Sequence, residues 1–181
     1  MKEKSLLKLE VAESFGENKT LKFISDGMLG KLTRWLRLLG HNVKYSNKLD
    51  DAQLIMIAKK ERRILLTRDF ELYHQATAKG VDTFYLEGKT EEEKLAELAE
   101  RFNIRLDIDM TSSRCPKCNT IVNLVPKERV TNKVEKSTFA HYDEFWQCPK
   151  CGQIYWQGAH WKRIRKTLQK AKGISRKPSQ N

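Results

Sequence analysis

The chain has 181 residues, 35 of them Lys or Arg and 23 Asp or Glu, for a formal net charge of +12. That length suffices for one good core plus a small satellite module, and no apolar run approaches the roughly 20 residues of a membrane span, so the composition reads as a soluble, cytoplasmic protein with no membrane partner. The charge is unevenly placed, with 20 basic and 19 acidic residues up to position 110 but 15 and 4 beyond it. A polyanion, nucleic acid first among them, is the natural partner of the second part, although solubility alone also accounts for a basic surface.

Residues 1–20 are mixed and weakly periodic, with one candidate strand around 6–11. From residue 21 the pattern becomes regular: the β-rich runs 21–25, 42–46, 63–67 and 81–86 each precede a segment with helical periodicity. Four βα units in succession predict an α/β domain over 21–110, a parallel sheet of about four strands flanked by helices, because parallel neighbours need crossovers of this length. In the first helix Leu29, Leu32, Leu36 and Leu39 share one face, Lys31, Arg34 and Arg37 lie opposite, and Gly40 ends it. Taken alone, such a basic stripe is more often a solvated face than a binding surface. The last helix opens with Thr90 and Glu93 in a capping-box arrangement and buries Leu95, Leu98, Ala99 and Phe102, which makes it structural.

The acids fall in a pattern relative to these strands. Asp26 follows the first, Asp50 and Asp51 open the helix after the second, and Asp69 follows the third. Each lies at the carboxyl edge of the sheet, where open α/β sheets carry their binding crevice. A strand order of second, first, third, fourth sets Asp26 beside Asp69, with Asp51 closing a triangle. Asp is also a favoured helix cap, and Asp50, with Gln53 three positions on, fits that role best. Three crowded carboxylates need cations to coexist, and hard oxygen ligands suit Mg²⁺ or Mn²⁺. A phosphodiester brought there meets Lewis-acid chemistry, with Lys31, Arg34, Arg37 and Arg68 placed to hold flanking phosphates.

The four cysteines stand in the C-terminal part as Cys115-Pro-Lys-Cys118 and Cys148-Pro-Lys-Cys151, 29 residues apart. Two such knuckles supply the tetrahedral sulfur shell of one structural zinc, which leaves no open coordination position, and a ribbon with a β-hairpin insertion accommodates the spacer. Two disulfides are the alternative, disfavoured by the absence of cysteine elsewhere. His141 and His160 would serve as ligands only if a cysteine failed. Residues 111–161 thus read as a small β-rich zinc ribbon in which Phe139, Tyr142, Phe145, Trp146, Tyr155, Trp156 and Trp161 are mostly core, with one or two rings available to stack on unpaired bases. Residues 162–181 carry eight basic and no acidic side chains. They read as a basic tail, helical to about Ala171, that contacts phosphates without reading sequence.

Phe23-Ile24-Ser25-Asp26-Gly27-Met28-Leu29-Gly30-Lys31-Leu32, Arg34-Trp35-Leu36-Arg37, Leu39-Gly40, Asp50-Asp51 with Leu54 and Ala58, and the run 63–69 resemble the Mut-seven-C RNase domain family. So do Arg114-Cys115-Pro116-Lys117-Cys118-Asn119, the run 148–152 and Ile154-Tyr155-Trp156-Gln157-Gly158-Ala159-His160-Trp161. The resemblance spans roughly 21–164 and implies a shortened PIN-like nuclease domain joined to a zinc ribbon. It further implies a metal-dependent ribonuclease, with Asp26, Asp51 and Asp69 where the acids of PIN domains stand. Those domains commonly present four acids, and Asp50, Glu71 or Asp82 is the candidate fourth here. PIN-like domains often pair, which allows a homodimer, and DNA is not excluded as substrate. The alternative function is a non-catalytic RNA- or ribosome-associated zinc-ribbon protein whose acids only cap helices. A small-substrate phosphohydrolase or receiver-like domain is a third, which leaves the cationic zinc module unexplained.

Overall fold

The computed structural model describes residues 21–175. The candidate strand around 6–11 and the last residues of the basic tail lie outside them. Strands β1 (Lys22–Ser25), β2 (Asn42–Tyr45), β3 (Ile64–Thr67) and β4 (Thr83–Tyr85) are all parallel and stand in the order β2-β1-β3-β4, as the βα alternation predicts. Helices α1 (Gly30–Leu38), α2 (Asp51–Glu61) and α3 (Phe70–Ala78) form the crossovers, and α4 (Glu91–Phe102) follows β4.

Successive side chains of a strand point to opposite faces, so the sheet feeds two cores. Phe23, Val43, Ile64 and Leu66 pack with Leu29, Leu32 and Leu36 of α1 and its preceding turn and with Leu95 and Leu98 of α4. Ile24 and Leu65 pack on the other side with Leu54, Ile55 and Ala58 of α2 and Leu72 and Ala76 of α3. Helix starts follow the sequence signals: Asp50 and Gln53 form one capping box, Thr90 and Glu93 another. Gly40 takes φ 91° after α1, and a Cβ there would stand 3.2 Å from the Ser112 carbonyl oxygen, so the position needs glycine twice over.

The chain then builds a separate small antiparallel sheet in the order β5 (Asn123–Val125), β6 (Phe145–Gln147), β7 (Ile154–Tyr155). The span between the cysteine pairs is more than the hairpin its length suggests, because it also holds the short helix α5 (Lys136–His141). Phe145 and Trp146 are buried, with Phe139, Tyr142 and Tyr155 packed partly under them, so most ribbon aromatics are indeed core.

The helix expected to about Ala171 is present as α6 (Ala159–Ser175), and it does more than present basic side chains. Leu168 and Ala171 are buried in the first core with Ile164 beside them, and the helix lies along α4. The spacing i, i+4, i+7 makes Ile164, Leu168 and Ala171 an apolar stripe. Lys162, Arg163, Arg165, Lys166 and Lys170 remain exposed on the rest of the helix. No helix among the described residues is long and apolar enough to cross a membrane.

Candidate functional site

Parallel strands bring every βα turn to one edge, and there the acids gather. Asp26 is 4 % exposed. Its Oδ1 accepts from the Met28 amide at 2.7 Å, and its Oδ2 accepts from the Thr67 hydroxyl and from the Arg68 amide at 3.2 Å. Thr67 also receives the Asp69 amide at 2.9 Å, so one buried hydroxyl at the end of β3 joins the loops of β1 and β3. Tyr45, at the end of β2, donates to the Gly27 carbonyl at 3.1 Å and lies across Gly30, where a Cβ would come within 2.6 Å of its hydroxyl. The glycines after Asp26 therefore let β2 clamp the turn that presents it.

Asp69 caps α3, its Oδ1 accepting from the amides of Glu71 and Leu72 at 2.8 and 3.0 Å. Both bonds fall on one oxygen. Asp50 caps α2 as expected, and Asp51 stands at its first position, exposed. The Asp51 carboxyl is pushed above its ordinary value, first by partial desolvation and then by the like charges of Asp69, Asp50, Glu71 and Asp26. Asp51 is thus in electrostatic reach of every acid expected at this edge. Of the three candidates for a fourth acid, Asp50 and Glu71 stand in this field. Asp82 does not, because it precedes β4 and so sits at the opposite, amino edge.

The basic residues separate. Lys31 and Arg34 are exposed on α1, and the Arg68 Nε is buried without a hydrogen-bond partner among the described residues. Arg37, expected on the same phosphate-holding stripe, is only 6 % exposed. Its Nε and Nη2 donate to the Val43 carbonyl at 3.1 and 2.9 Å, and its Nη1 donates to the carbonyls of Pro116 and Lys117 at 2.9 and 3.3 Å. This corrects the assignment: Arg37 ties α1 and β2 to the first cysteine knuckle, with four of its five N–H donors on backbone carbonyls and its side chain buried there. Each residue turns a helix by about 100°, so Arg37 lies about 120° around α1 from Lys31, on the side the knuckle covers.

Asn119 and Arg114 complete that junction. The Asn119 side chain accepts from the Val43 amide at 3.1 Å and donates to Asn42 at 2.9 Å, while Arg114 donates to the carbonyls of Gly40 and Asn119 at 3.1 and 2.9 Å.

The cysteines form the tight cluster that their spacing predicts. The four sulfurs lie within 4.8 Å of one another, with Cys115 to Cys151 at 3.6 Å and Cys118 to Cys148 at 3.3 Å. A tetrahedral zinc with Zn–S of about 2.3 Å sets sulfurs about 3.8 Å apart, so the quartet fits a structural zinc. Each knuckle closes with an amide donating to the first cysteine's carbonyl, from Asn119 and from Gly152, both at positive φ. The Tyr155 hydroxyl is 3.0 Å from the Cys115 sulfur, and burial, then this contact, push its pKa up. Neither His141 nor His160 belongs to this group. It is the only set of three or more potential ligands among the described residues drawn close enough for one ion, so the acids are looser than the thiols.

Beside the acids stands a feature the sequence reading passed over. Phe70, Tyr73 and His74 of α3 and Tyr85 of β4 form one aromatic group. The i, i+3, i+4 spacing directly after Asp69 was the available signal. A cavity of about 790 Å³ opens at the amino edge instead, lined in part by His41, Phe102, Asp107 and Asp109. It is no rival for the chemistry, since Asp107 pairs with Lys172 and Asp109 is occupied by Thr111 and Ser112.

No curated protein and no solved structure matches the chain. The model of the Mut7-C RNAse domain matches residues 21–168, and its span takes in the sheet, the acidic edge, both cysteine knuckles and α6 as far as Leu168. The chain belongs to the Mut7-C RNAse domain family.

Proposed function

We propose that the protein is a metal-dependent ribonuclease that hydrolyses RNA phosphodiester bonds at the carboxyl edge of its parallel sheet, with Asp26, Asp51 and Asp69 holding Mg²⁺ or Mn²⁺ and Asp50 beside them. The observation that carries this reading is the field at Asp51, whose pKa is raised by partial desolvation and then by the like charges of Asp69, Asp50, Glu71 and Asp26. Such a set is costly unless a cation is supplied from outside the chain. When bound, a hard dication supplies Lewis acidity toward a phosphate oxygen. The chain's own residues do the rest. Asp26 is held rigid by Thr67 and by two amides, Asp69 keeps one oxygen uncommitted, and Lys31, Arg34 and Arg68 offer positive charge to flanking phosphates. The exposed basic face of α6 and the zinc ribbon extend the track for a polyanion.

A binding protein without chemistry is the second reading, and one observation favours it: Asp26, Asp50 and Asp69 each cap a helix or turn. Incubation of labelled RNA with the protein and Mn²⁺ separates the two. Cleavage abolished by chelator and lowered about 100-fold or more by Asp26→Asn and by Asp69→Asn is expected, on the scale of losing one preorganised electrostatic group in an active site. RNA binding indifferent to metal, with no products from the wild type, would establish the binding reading instead.

A further inference from the structure

Phe70 opens α3 one position after Asp69, about 3.8 Å from it between Cα atoms, yet the core does not take its ring. It is 62 % exposed. Three neighbours hold it: His74 edge-on at 4.3 Å between ring centroids, Tyr85 edge-on at 5.8 Å and Tyr73 nearly parallel at 6.4 Å. Tyr73 in turn contacts His74 and Tyr85 at 5.5 and 5.9 Å. Single exposed apolar residues are ordinary, but rings ordered by mutual contact form a surface. That surface adjoins the acids through the sheet itself, since Tyr85 pairs in register with Thr67, whose hydroxyl binds Asp26.

The geometry points to this four-ring group as a stacking platform for an unpaired base of the RNA strand that reaches the acids, an inference that takes its substrate class from the ribonuclease reading. Phe70 stands two positions after Arg68, and an aromatic face close to a cationic side chain complements a ligand that is flat and anionic together. Single-stranded RNA offers both. A duplex keeps its bases inside its own stack and presents no free face, so the platform favours unpaired regions.

The test uses the full chain, chelator to prevent cleavage, and a single-stranded RNA oligonucleotide carrying 2-aminopurine, whose fluorescence falls when the base stacks. Wild type is expected to bind and to quench. Phe70→Ala is expected to weaken binding about tenfold and to remove the quench, the loss typical of one base stacked on one ring. Phe70→Trp retains both signals, while Phe70→Leu, apolar but without a π face, behaves as the alanine variant does. Affinity for a blunt duplex is the same in all four proteins. A wild type that fails to bind the single strand or to quench the probe overturns the platform, as does an alanine variant that matches it. Cleavage in Mn²⁺ is scored separately. Phe70-dependent stacking without cleavage removes the nuclease reading and leaves the platform, whereas Asp26-dependent cleavage with Phe70-independent binding does the reverse.

Discussion

The molecule carries a cysteine quartet and an acidic sheet edge, and they are assembled in opposite ways. At the ribbon, backbone amides fold each Cys-Pro-Lys-Cys turn and Arg37 grips the first from outside, so the four sulfurs lie within 4.8 Å of one another by the chain's own bonding. At the carboxyl edge the acids come from three different βα turns, and Asp51 registers the others as repulsion. A structural site can be prebuilt because protonated or metallated thiols tolerate crowding. Carboxylates of like charge repel and raise one another's pKa, so they are not drawn into so tight a group.

Removing the ribbon's metal is the strongest way to break this contrast. Apparent zinc affinities of such sites correspond to about 10–16 kcal/mol, so chelation or Cys148→Ser should unfold the ribbon, read as a shift of Trp146 emission, while Mg²⁺ or Mn²⁺ removal should leave the ribbon folded and lower the melting of the parallel-sheet domain only slightly. Leu168→Ala comes next. It should cost about 2–5 kcal/mol in denaturant unfolding of the parallel-sheet domain, which a detached tail would not do. Arg37→Met strips donors from three carbonyls and should destabilise by about 1–3 kcal/mol without changing RNA affinity, and Arg37→Lys, lacking the planar fork, should rescue little. Lys31→Ala and Arg34→Ala should do the converse, weakening RNA binding in a salt-dependent way at little cost to stability.

The smallest effect concerns pH. Burial, then the nearby Arg114, lower His41 from 6.5 to about 4. As pH falls through that window the unfolded chain takes up the proton before the folded one. Stability is therefore full above about pH 6.5 and declines by at most about 1.4 kcal/mol per pH unit down to about pH 4. His41→Gln should flatten that slope in a series of denaturant titrations.

Much of this architecture was legible in the sequence because it rests on local signals. The βα alternation, the Asp50 and Thr90 capping boxes, the helix stop at Gly40 and the cysteine spacing each depend on residues a few positions apart. Arg37 was misread because its partners, Pro116 and Lys117, lie 79 and 80 positions away, and helical periodicity cannot say what covers a face. The stripe of Ile164, Leu168 and Ala171 was outweighed by the lysines and arginines between them, although its spacing is that of a buried helix. The aromatic group escaped because Tyr85 comes from a different element, and only the β3 to β4 pairing brings it to α3.

β2 is an outer strand, and a bare outer strand offers its amides and carbonyls as a template on which a stray chain can add itself and seed aggregation. Here Asn119 receives the Val43 amide and Arg37 fills its carbonyl, so the knuckle acts as a stopper on that margin. Loss of a zinc held there would thereby unplug a sticky border of the parallel-sheet domain, and the metal's reach would extend to solubility beyond the ribbon alone.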